Sequence, residues 1–98
     1  TLFNFADSPT LPRQQLLADY ANSAQRLRGI AQRAGADVLL SNHTRYDGYT
    51  LKMPRLARRG AGDTHPYVIG TDSVGRFLTM AGECATAARI GEAAAKQP

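Results

Sequence analysis

The strongest constraint on this chain is a strand signature with almost nothing to pair with. Val38-Leu39-Leu40 is a short apolar run containing a β-branched residue and bounded by turn formers, the pattern of a buried strand over residues 37–41. Backbone N–H and C=O groups buried without partners cost about 1–3 kcal/mol each. A strand apolar on both faces needs neighbours on both edges and cover on both sides. The rest of the sequence offers one weak candidate, Leu2, Phe3 and Phe5 within the alternating segment Thr1–Asp7. Either a second copy of the chain completes the sheet, or further polypeptide does.

Helical periodicity dominates elsewhere. From Pro12 to Ala34, Leu16, Leu17, Tyr20, Ala24, Leu27, Ile30, Ala31 and Ala34 recur at steps of three and four and form one stripe. Pro12 suits a first helical turn, and Gly35 follows where a left-handed C-cap belongs. A shorter helix is expected over about 51–59, with Met53, Leu56 and Ala57 inward and Pro54 either delaying its start or kinking it. Thr71 reads as the N-cap of a last helix over about 72–94, with Asp72 complementing the dipole. Val74, Phe77, Leu78, Ala81, Cys84, Ala85 and Ala88 form its stripe. The expected class is therefore α/β: three helices (about 12–34, 51–59 and 72–94) around one strand (37–41), in a single incomplete domain over 1–98.

Composition narrows the function classes. Ninety-eight residues, 43% hydrophobic and 20% charged, suit one small folded domain. No run of eighteen apolar residues exists, so no membrane span is expected. Thr1–Asp7 has neither a basic region nor a long apolar core, so it does not read as a signal peptide. A single cysteine, Cys84, forms no internal disulfide and no zinc knuckle; among alanines it reads as a small buried hydrophobe. The net charge is +4, and Lys52, Arg55, Arg58 and Arg59 share one helical face. A nucleic-acid binder would add interleaved aromatics or a recognised motif, and neither is present, so nucleic acid is not the expected partner.

The candidate site lies where the apolar run stops, in Ser41-Asn42-His43, before Tyr46-Asp47-Gly48. A histidine just past the carboxyl end of a strand is aimed by a rigid element and reached through a loop, which suits ligand or metal binding. The plain alternative is a histidine closing a strand end with no chemistry. Ser41 and Asp47 are near enough in sequence to orient such a ligand. His65, in the loop before the last helix, reads as a loop or packing residue.

Asp37-Val38-Leu39-Leu40-Ser41-Asn42-His43, Tyr46-Asp47-Gly48, Leu56-Ala57-Arg58-Arg59, Gly62-Asp63, His65-Pro66-Tyr67-Val68-Ile69-Gly70 and Arg76-Phe77-Leu78-Thr79 follow one another in order. Together they resemble the carboxyl-terminal part of the metallo-β-lactamase superfamily, specifically the β-lactamase-like subclass whose zinc ligands are mainly histidines. The resemblance runs from about Thr1 to about Ala88 and rests on the succession of motifs. It implies an αββα sandwich, with His43 as a ligand of the second zinc. It also implies a zinc hydrolase, with opening of a β-lactam ring by metal-bound hydroxide as the reaction, in a periplasmic or secreted setting. The family's other ligands, an H-x-H-x-D-H motif and a further histidine, lie nearer the amino end, and this sequence contains neither. A catalytic zinc needs three protein ligands and an open position, so this chain alone is expected to bind no zinc and to be inactive. Its expected partner is the missing amino-terminal part of the fold. The alternative is a stand-alone helical module, without catalytic activity, that pairs with a second copy of itself.

Overall fold

The computed structural model describes Phe3 and residues 10–96, and is built on two long antiparallel helices. Helix α1 spans Arg13–Ala34, α2 spans Tyr49–Ala57 and α3 spans Thr71–Ala95, with a 3-10 turn at Thr44–Tyr46. The molecule measures 61 × 28 × 22 Å, elongated along the hairpin.

Residue types at the helix ends explain where α1 starts and stops. Pro12 is its N-cap, with φ −64° and ψ 150°. Gly35 closes it in the left-handed region at φ 68°, where the Ala36 N–H reaches back to the Ala31 carbonyl at 2.9 Å. Small side chains then let α1 and α3 approach closely. A Cβ built at Gly82 would stand 3.5 Å from the Ala24 Cβ and 3.6 Å from the Ala21 carbonyl oxygen. Leu17 is fully buried against Ala85 and Phe3, with Tyr20, Ala21 and Ala88 around them. The Phe3 ring meets Tyr20 edge-on, centroids 5.0 Å apart. Arg13 latches the open end of the hairpin. Its guanidinium forms a two-pronged pair with Glu92, at 2.6 and 3.0 Å, and donates to the Phe3 carbonyl at 2.8 Å. Gln14 adds a bond to the Arg89 carbonyl at 3.0 Å.

The α/β expectation does not hold. Among the described residues there is no strand and no sheet, so the chain does not form the αββα sandwich the resemblance implies. Residues 37–41 make one isolated antiparallel bridge, Val38 to Val68, while Ile69 and Gly70 both donate to the Asp37 carbonyl. A strand needs a continuous partner, and the 65–70 segment supplies only this brief contact. Leu40 is left 72% exposed. Apart from Phe3, the extended segment expected at Thr1–Asp7 lies outside the described residues.

Other expectations need adjusting. Helix α2 starts at Tyr49 rather than Leu51, after Gly48 in the left-handed region, and runs through Pro54. None of its residues is buried, and Met53 and Ala57 are exposed. Leu27 and Ile30 are exposed because α3 is the one described helix that packs on α1, and it covers a narrower face than the sequence stripe offers. Cys84 is exposed for the same reason, on the far side of α3. Gly70, not Thr71, is the N-cap of α3. No helix among the described residues is long and apolar enough to cross a membrane.

Candidate functional site

The loop that carries His43 is organised by hydrogen bonds to its own backbone. Asp47, 4% exposed, accepts the Ser41 N–H on Oδ2 at 3.1 Å. Ser41 in turn accepts the His43 N–H on its hydroxyl at 3.1 Å. The His43 carbonyl takes the Tyr46 N–H at 2.9 Å, and the Thr44 carbonyl takes the Asp47 N–H at 3.1 Å. These four bonds close residues 41–47 into one compact turn, and Gly48, at φ 76°, releases the chain into α2. The left-handed backbone at Gly48 is the reason a glycine follows Asp47.

His43 stands at the rim of this turn. Its backbone is extended, at φ −106° and ψ 96°, and its side chain is exposed. The imidazole meets the Tyr46 ring edge-on at 6.2 Å, and the Arg45 guanidinium lies 5.7 Å from that same ring. Ser41 therefore holds the His43 backbone and Asp47 holds that of Ser41, and neither bonds the His43 ring. The Asp47 Oδ1 atom is buried with no hydrogen-bond partner among the described residues. Burying a carboxylate oxygen this way is costly unless a donor reaches it. The sequence placed Asp47 next to the candidate ligand but gave no sign that it would be buried.

Among the described residues, no three His, Cys, Asp or Glu side chains come together as a metal-holding group. His43 alone does not fit a zinc centre; a tetrahedral site built on it would take its other donors from elsewhere. His65 sits apart from it in the loop before α3. The Tyr67 N–H donates to His65 Nδ1 at 3.2 Å, so the neutral ring carries its proton on Nε2. The His65 and Tyr67 rings are 5.9 Å apart, and Lys52 Nζ lies 5.1 Å from the centre of the Tyr67 ring.

No protein-family model matches the chain, and comparison with curated proteins and with solved structures found no match either. The metallo-β-lactamase resemblance therefore rests on the succession of short motifs between Asp37 and Thr79.

Proposed function

We propose that this chain supplies one imidazole, His43, to a zinc hydrolase centre of the metallo-β-lactamase-like type, that other polypeptide completes the centre, and that the chain is inactive alone. The observation that carries the reading is the pinned turn at 41–47. A buried carboxylate fixes the backbone around an exposed histidine that has no companion ligand among the described residues. A backbone fixed behind a solvent-facing imidazole is the support a ligand carried on a loop needs. The apolar segment before it, with Leu40 exposed and a single bridge at Val38, is a surface that further polypeptide would cover.

Zinc titrated calorimetrically into the chain alone is expected to give no stoichiometric binding at micromolar affinity or tighter. Co-expression with an amino-terminal polypeptide carrying the H-x-H-x-D-H motif and a further histidine is expected to restore binding, and His43→Ala to weaken it. Tight one-to-one binding by the chain alone, or restored binding indifferent to His43→Ala, overturns the reading.

A second reading, self-association without catalysis, draws support from a groove along the hairpin. Leu78, Gly82 and Ala21 line it beside Ile90, which is 58% exposed. Light scattering across a dilution series checks it: a monomer of unchanged helix content at every concentration removes it.

A further inference from the structure

We propose that the open recess at the carboxyl end of α2 binds a phosphate or phosphate monoester. The recess has a volume of about 450 Å³, within the range of small-ligand pockets. Arg55, Arg58 and Arg59 reach it from the last turn of α2 and the residues just after it, and His65 faces them from the loop before α3. Arg55 lies on α2 and Arg58 and Arg59 just beyond its end, and the fold of residues 60–65 adds the imidazole.

Hydrogen bonding leaves these groups with donors to spare. Arg59 uses Nε to bind the Asp63 carbonyl at 2.9 Å, which anchors the side chain and leaves its two terminal nitrogens for a ligand. Asp63, the one carboxylate lining the recess, turns back to accept the Gly60 N–H at 2.9 Å. No carboxylate pairs with Arg55 or Arg58 among the described residues. His65 accepts on Nδ1 from the Tyr67 backbone, so its Nε2–H is a further donor.

Cations near a helix C-terminus also complement the dipole. That accounts for a positive residue in the final turn, but not for three guanidinium groups and an imidazole lining one recess. A carboxylate offers two oxygens, whereas a phosphoryl group offers three or more to guanidinium forks. Pro66 and Val68 give the recess an apolar wall on which the organic body of a monoester can rest.

Inorganic phosphate and adenosine monophosphate would be titrated separately into the full chain at matched ionic strength, followed by the NMR signals of the arginine side chains and His65. Saturable shifts confined to these signals are expected, and the tighter of the two ligands identifies the source of the phosphate. The Arg55→Gln/Arg58→Gln pair is expected to weaken binding at least about tenfold, since each change removes charge-assisted hydrogen bonds. Both side chains are exposed and neither is hydrogen-bonded among the described residues, and circular dichroism verifies that the fold is kept. Arg26→Gln, on α1 outside the recess, is expected to change nothing. The proposal is overturned if neither ligand saturates, or if Arg26→Gln weakens binding as much as the pair does. It is also overturned if a short RNA duplex binds with a steep salt dependence while neither phosphate does.

Discussion

The α1–α3 hairpin and the connection between those helices, residues 36–70, reach order by opposite means. In the hairpin, Leu17, Val74 and Leu78 are hidden because Ala and Gly at the crossing let two helices face one another. In the connection, Leu40, Leu51 and Met53 are exposed at 72%, 67% and 49%, and its one buried side chain is the carboxylate of Asp47. Apolar residues occur in both regions, but burial needs an opposing surface. The hairpin supplies one and the connection does not, so the connection takes its shape from turns and backbone hydrogen bonds.

That contrast is most sharply tested at Leu17. Leu17→Ala is expected to destabilise the chain by about 2–5 kcal/mol, read from urea or thermal unfolding, because it opens a cavity in the only tightly packed cluster described. Gly82→Leu comes next, at about 1–3 kcal/mol, since the added side chain would press on Ala24 and the α1 backbone. Gly82→Ala should instead be neutral or stabilising by up to about 1 kcal/mol, because a Cβ there meets ordinary contacts and alanine favours the helix.

Asp47→Ala tests the other side of the comparison. It is expected to cost about 1 kcal/mol and to speed hydrogen exchange at the Ser41 and His43 amides, leaving α1 and α3 amides as protected as before. A matching loss of protection in α1 would mean that the loop and the hairpin are one cooperative unit. The smallest effect is expected from Leu40→Ala, within about 0.5 kcal/mol in the isolated chain. A cost near that of Leu17→Ala would show that a second surface already covers residues 38–40.

The sequence showed the helices more clearly than what they pack against. The stripe from Leu16 to Ala34 and the glycine after it marked α1 to within a residue, because periodicity and capping are local signals. The same stripe overstated the core: Leu27 and Ile30 belong to it by spacing, yet α3 does not cover them. Residues 37–41 read as a strand because composition reports β-propensity, whereas a ladder depends on a partner many residues away. The turn at Asp47-Gly48 could be read from its residue types. The burial of Asp47 and the placing of His65 in one recess with Arg55, Arg58 and Arg59 could not, since both depend on how the connection folds back on itself.

The Arg13–Glu92 fork joins residues 79 positions apart, which affects how the chain is made. At about 5–20 residues per second of synthesis, roughly 4–16 s separate the appearance of the two partners. Through most of that interval α1 exists without the completed helix that hides Leu17. Leu17 stays uncovered until α3 docks.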